Sequence, residues 1–299
     1  MSTFSTDIPG QEPVTTEDQR LARAWYRLRR SPLSIVGLGM VVLVVLTALL
    51  SPMVVPFPED ATGNTRMVDK LKSPNDTYLM GTDDVGRDVF SRTLIATQTS
   101  LVIGVVVLTI AILIGVPLGA ISGFLGGWVD EIIMRATDIF LTVPSLVLAM
   151  AMGVALGPGM VNAMLAISLV WWPGYARLTR GQALSLREQD FVESARALGA
   201  SPWHTIFRHI LPNLMSPVII KASMDMGFAI LVAAGLGYIG VGVQAPRPEW
   251  GVMISEGRAQ WREAWWISTF PGLAMFISVM GFNLLGDGLR DVFDPKMRG

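Results

Sequence analysis

Apolar and polar stretches alternate along this chain on the scale of a bilayer rather than of a globular core. Apolar runs cover about Leu33–Val55, Thr99–Phe124, Ile139–Leu156, Val161–Tyr175, Met215–Gly240 and Ile267–Leu285. Roughly 20 apolar residues cross the hydrocarbon of a membrane, so the pattern predicts about six membrane-spanning helices. Polar intervals separate them. Residues 57–97 are rich in acids, Trp128–Asp138 is a short link, Gly157-Pro158-Gly159 is a tight turn, and Arg177 to Pro212 is the longest basic interval.

That basic interval has a helix–turn–helix pattern of its own. Ser185 and Glu188 stand at the spacing of a capping box, which predicts a helix start there, and Phe191, Ala195 and Leu198 follow on one face. Gly199 falls where a helix end calls for a left-handed residue. Ser201 and Pro202 supply an N-cap and first position, Trp203, Ile206, Phe207 and Ile210 form an apolar stripe, and Pro212 is expected to close the second helix. Such a stripe must bury itself against the membrane domain, a partner protein or lipid.

Composition sharpens this picture. The chain is 51% hydrophobic and 16% charged, with mean hydropathy +0.49. That is a multi-span membrane protein rather than a soluble one. Its net charge of −1 gives nucleic-acid binding no support. It has no cysteine, which removes disulfides and thiol catalysis, and its two histidines, His204 and His209, both lie in the basic interval. No metal site and no cofactor are expected in this chain. It lacks the G-x-x-x-x-G-K-[ST] of a P-loop and any Ser/His/Asp set that can be placed, so it is expected not to be an enzyme.

Orientation follows from the arginines. Arg20, Arg23, Arg27, Arg29 and Arg30 precede the first run, which reads as an uncleaved anchor with its N-terminus in the cytoplasm. Arg177, Arg180, Arg187, Arg196 and Arg208 place the basic interval on the same side, and topology alone suffices to explain Arg177 and Arg180. Residues 57–97 then lie outside. Within them Gly81–Asp88 lacks the ligand spacing of a calcium loop and reads as a solvated turn with a helix start. Tryptophans 171, 172, 261, 265 and 266 are expected at membrane boundaries. Gly104, Gly115, Gly119 and Gly123 give small-xxx-small spacings for close helix packing. Pro144, inside the third run, is expected to serve packing. Lys221 and Asp225, four residues apart near the inner end of the fifth run, are either a structural ion pair or part of a transport path.

Several segments carry a family resemblance. Glu193-x-Ala195, Gly199 and Leu211-Pro212, at their spacing, resemble the EAA loop of ABC-importer permeases. Ser194 replaces an alanine there and His209 an isoleucine; Arg208-His209-Ile210-Leu211-Pro212-Asn213 is similar to the form used by the oligopeptide/dipeptide branch. Gly81–Arg92, Gly240–Gly251 and Asn283–Asp294 resemble segments of the same branch. The resemblance implies an all-α type I ABC-importer permease fold in the bacterial inner membrane, with both termini cytoplasmic. It divides the chain into a tail at 1–31, a first span with external segment at 32–96, a core at 97–290 containing the coupling loop 185–212, and a tail at 291–299. It also implies a second homologous permease subunit, two ATP-binding subunits that hydrolyse the ATP, an extracytoplasmic substrate-binding protein and surrounding lipid. In that setting the helix around Pro202–Ile210, with Trp203, Phe207 and Arg208, docks on an ATPase, and Glu193, Ala195 and Gly199 shape the bend. Di- or oligopeptides are the expected cargo, with nickel, glutathione or a sugar as alternatives. The competing classes are an ion-coupled secondary transporter using Asp225, a structural anchor, and an exporter subunit, the last opposed by the importer-type loop.

Overall fold

A computed structural model describes residues 31–293. The N-terminal arginine cluster and the segment from Asp294 onward lie outside the described residues. Within them the fold is helical, with one isolated bridge between Thr82 and Asp88. In chain order the helices are α1 (Pro32–Val54), α2 (Val89–Leu125), α3 (Gly127–Thr142), α4 (Ser145–Leu156), α5 (Met160–Leu186), α6 (Asp190–Ala197), α7 (Pro202–Thr205), α8 (Leu211–Tyr238), α9 (Trp250–Gly257) and α10 (Trp266–Phe293). Helices α1, α2, α10 and the joined α7–α8 rod, Pro202–Tyr238, are long and apolar enough to cross a membrane. The α3–α4 pair, bent by 91°, makes a fifth crossing if taken as one. With 27 residues, α5 is about 40 Å long, enough for a sixth.

The α2–α5 pair is the backbone of the bundle, and glycine explains its closeness. Gly115, Gly119 and Gly123 lie against the α5 backbone at Trp172, Ala176 and Arg180. A Cβ at Gly119 would collide with the Ala176 carbonyl and the Thr179 hydroxyl. The small-xxx-small spacing is therefore a contact surface, whereas Gly104 faces Met226 of α8 instead. Helix α1 straps the outside of α10, with Gly37 against Leu284 and Gly281 against Met40.

Several expectations are corrected. Trp171 and Trp172 are buried in the bundle, Trp171 against Phe228 and Trp172 edge-on to Phe140. They are packing residues rather than boundary anchors, because α5 continues past Tyr175 to Leu186 and carries them into its middle. The Trp128–Asp138 link is itself helical, set off from α2 by Gly126 and Gly127, both at positive φ. Pro144 stands at the break between α3 and α4, so it ends one helix and starts the next. Of the three late tryptophans, Trp261 and Trp265 are exposed, while Trp266 is buried and donates from Nε1 to the Thr82 carbonyl at 3.0 Å. Helix α10 runs on through Phe293, past residue 290.

The Gly81–Arg92 segment is a second correction, because it is buried rather than solvated. Asp88 caps α2 by accepting from the Ser91 N–H at 2.8 Å, as the expected helix start requires. Around it lies an ion-pair knot. Arg92 reaches Asp83 at 2.6 Å and Glu256 of α9 at 2.9 Å, and Arg87 reaches Asp83 at 2.6 Å and Glu256 at 3.3 Å. Asp60 takes the backbone N–H of Asp88 at 2.7 Å and pairs with Arg66. Buried arginines next to carboxylates are stable only with such multiple partners. Residues 57–88 thus form a folded cap over one end of the bundle. At 37 residues, about 55 Å, α2 outruns a hydrocarbon core of about 30 Å, so its first turns belong to this cap.

Candidate functional site

The opposite end carries the basic loop. Its first helix starts at Asp190 with Gln189 at the N-cap, not at Ser185. Ser185 lies in the last turn of α5, which absorbs the segment where a capping box was expected. The turn after α6 follows the sequence reading closely. Gly199 has φ +84°. Its N–H donates to the Arg196 carbonyl at 2.9 Å, and the Ala200 N–H donates to the Ala195 carbonyl at 3.0 Å. Those two bonds are a Schellman closure, which needs a left-handed residue at Gly199. Nothing lies within 4 Å of a Cβ built there, so the constraint is on the backbone and not on space. Ser201 caps the next helix by accepting from the His204 N–H at 3.3 Å, with Pro202 at its first position.

The second helix does not stop at Pro212. Residues Ile206–Ile210 form a π turn, and the helix continues into α8 without a break. Proline has no N–H, and its ring clashes with the carbonyl four residues back, here that of Arg208. The wider π turn absorbs that clash, and the Asn213 side-chain amide donates to the His209 carbonyl at 2.7 Å. Loop and span are one continuous rod.

Its apolar stripe is divided. Ile206 and Ile210 are buried with Val192, Leu214, Ala120, Phe124 and Ala183 in a small core, and Leu211 packs against it. This core joins the loop to the ends of α2 and α5. Arg196 adds to it by lying 4.7 Å over the Phe124 ring. The aromatic half points away: Trp203 is 55% exposed, Phe207 60% and Leu198 89%. Trp203 and Phe207 are neighbours at 6.4 Å between ring centroids, and His209 lies 5.9 Å from His204 and 6.3 Å from Phe191. Arg208 and Pro212 are exposed beside them. Glu193 sits in the first turn of α6 with Asp190, exposed and without an ion pair among the described residues, a position that favours an acid near the free N–H groups.

Arg177 and Arg180 do more than set topology. Arg180 holds Asp130 of α3 through a fork, and Arg177 bonds Asp138 at 2.7 Å. Lys221 and Asp225 form an ion pair with Nζ to Oδ2 at 2.9 Å. They are the eleventh and fifteenth residues of the 28 in α8, so they sit near its middle rather than at its inner end.

This arrangement of spans with an intervening bent loop is the fold of a type I ABC-importer permease. The inward-facing MetNI methionine ABC transporter matches it with a TM-score of 0.53 at 18% identity, over 66% of this chain and 94% of that one. The sequence relationships are closer. Residues 115–299 match the binding-protein-dependent transport system inner membrane component family, and residues 19–74 match the N-terminal transmembrane domain of oligopeptide transport permease C. A probable D,D-dipeptide transport system permease protein of Escherichia coli (strain K12) is 48% identical, covering 93% of this chain and 92% of that one. A dipeptide transport system permease protein of Alkalihalophilus pseudofirmus is 41% identical (98% and 96%), and a glutathione transport system permease protein of Pectobacterium atrosepticum 38% (92% and 90%). The chain belongs to the binding-protein-dependent transport system inner membrane component family, and is an inner-membrane permease subunit of an ABC importer.

Proposed function

We propose that this chain is one of two permease subunits of an ATP-driven importer of short peptides, and that Trp203, Phe207 and Leu198 are its handle for an ATPase subunit. The observation that carries this is the divided stripe of the 203–210 helix. Its aliphatic half is fixed in the chain's own core, and its aromatic half is exposed at one end of the bundle. Aromatic residues next to an arginine are the usual anchors of a protein interface. The loop side is cytoplasmic in this reading, and the cap side faces the substrate-binding protein.

Force transmission follows from the covalent and packed connections. A push on Trp203 and Phe207 acts on a rod that continues to Tyr238. It also acts through Val192 and Ile210 on the ends of α2 and α5. Rocking those spans against a second, homologous permease subunit gives alternating access, driven by closure of two ATP-binding subunits. Glu193, Ala195 and Gly199 keep the loop bent while it is pushed. The cargo assignment rests on relatives named as dipeptide and glutathione permeases, glutathione itself being a short peptide.

The test is co-purification from membranes. Trp203→Ala with Phe207→Ala is expected to leave the permease in the membrane and lose the ATPase subunits. Retention of the ATPases at the unsubstituted level, with dipeptide uptake intact, would remove the docking role.

A further inference from the structure

A polar group lies in the middle of the bundle, far from the docking loop. Lys221 and Asp225 of α8 sit beside Tyr175 of α5, with the Lys221 ammonium 5.2 Å from the Tyr175 ring centre. Counting 1.5 Å per residue from Leu211, the pair is about 15 to 21 Å along α8, close to mid-membrane.

Three observations separate this group from a closed structural pair. The Lys221 side chain is 32% exposed and that of Asp225 17%, so the pair opens on one face of the bundle. A charge at this depth faces a protein interior or water, not lipid, because burying it in hydrocarbon is costly. Tyr175 is fully buried, yet its hydroxyl has no protein hydrogen-bond partner. Asp225 Oδ2 is also buried and unbonded in hydrogen-bond geometry, although the ammonium lies 2.9 Å away. Asp225 Oδ2 is thus met by the Lys221 charge, and the Tyr175 hydroxyl lacks a partner in hydrogen-bond geometry, where an unmet polar group is costly.

We propose that Lys221, Asp225 and Tyr175 form a charge-matching station on the translocation path, which takes the carboxylate and ammonium groups of a zwitterionic peptide in passing. This rests on the peptide-importer reading above. Lys221 meets the carboxylate and the partly exposed Asp225 side chain meets the ammonium, with the buried Tyr175 ring packed beside the Lys221 ammonium. Between passages the pair neutralises itself. The empty station then carries no net charge and holds its cargo weakly enough to release it, as a conducting site must.

The test is uptake by the complete complex of three peptides of equal length: neutral, acidic and basic. Asp225→Asn leaves an unbalanced ammonium and is expected to raise the acidic-to-basic uptake ratio about fivefold, the effect of one charge contact in a watery path. Lys221→Gln should shift the ratio the opposite way. Equal loss for all three peptides, restored by exchanging the two residues (Lys221→Asp with Asp225→Lys), would show a structural pair and overturn the proposal. If the unsubstituted complex imports none of the peptides, the peptide-importer reading fails first and takes this one with it. A second measurement covers variants that assemble poorly. The chain has no cysteine, so Lys221→Cys provides one reporter in it. A water-soluble thiol reagent should modify it, and transported peptide should slow the reaction. No modification in any nucleotide state would show that water never reaches the station, and would overturn it.

Discussion

Arg180 grips Asp130 with a two-pronged hydrogen bond, Nε to Oδ1 at 2.5 Å and Nη2 to Oδ2 at 2.7 Å, across 50 residues of sequence. Ser122 of α2 donates to the same carboxylate. Three helices, α2, α3 and α5, are therefore tied at one point next to the basic loop. The fork geometry depends on the guanidinium plane.

Arg180→Ala should loosen this tie. Hydrogen bonds to charged groups contribute about 1.5–3 kcal/mol. With Arg180 partly exposed, screening brings the expected loss to about 1 kcal/mol. Thermal unfolding of the purified complex is expected to move down by a few degrees, and Arg180→Lys should recover only part of the shift. An unchanged midpoint in both variants would show that α3 is held by packing alone.

Gly199 should tolerate substitution in the order asparagine, alanine, valine. Because nothing crowds a Cβ there, the cost is the left-handed backbone itself, roughly 1–2 kcal/mol for an ordinary residue, least for asparagine and greatest for a β-branched side chain. Gly199→Val is expected to keep ATP hydrolysis while losing most uptake, and Gly199→Asn to keep both. Parallel assays of ATPase rate and uptake decide it, and full uptake in Gly199→Val would contradict the role of the bend.

Arg92 is expected to be the least replaceable cap residue. It is buried and bonds both Asp83 and Glu256, which are 173 residues apart in sequence by their numbers (256 − 83). Removing one partner of a buried ion cluster costs about 3–5 kcal/mol, because uncompensated charge stays behind. Arg92→Ala should therefore sharply reduce folded permease in the membrane. Recovery of normal amounts of protease-resistant protein would contradict this.

The cap should also respond to pH. Burial, reinforced by the nearby Asp83 and Glu256 carboxylates, raises the Asp84 carboxyl above its ordinary 3.8. A raised acid binds protons more tightly in the folded cap than in the unfolded one. Its contribution to stability is complete below about 3.8 and fades as pH rises through the raised value. Hydrogen exchange across residues 57–88 should thus slow as pH is lowered from neutral, after correction for the intrinsic rate. Asp84→Asn should weaken that response without abolishing it, because burial also raises the Asp60 and Asp88 carboxyls; an identical response in the variant would assign it to those groups alone.

Much of this was readable from local pattern. The apolar runs mark the spans, and Gly199 with Ser201-Pro202 marks the loop, because those signals act through periodicity and backbone geometry within a few residues. Pro212 misled, since a π turn can absorb a proline that a regular helix cannot. Ser185 misled as well, because its capping spacing also fits the end of a long helix packed on α2. Arg92 with Glu256, Arg180 with Asp130 and the burial of Trp171 and Trp172 could not be read. They depend on which helices lie side by side, and no short window of sequence records that.

Trp203 offers the most direct test of the docking handle. With Trp203→Cys as the one thiol in this chain, thiol labelling and cross-linking in native membranes should show modification only from the cytoplasmic side. Covalent capture of an ATPase subunit should also depend on nucleotide. Labelling from the opposite side, or no labelling because residue 203 lies within the bilayer, would contradict it.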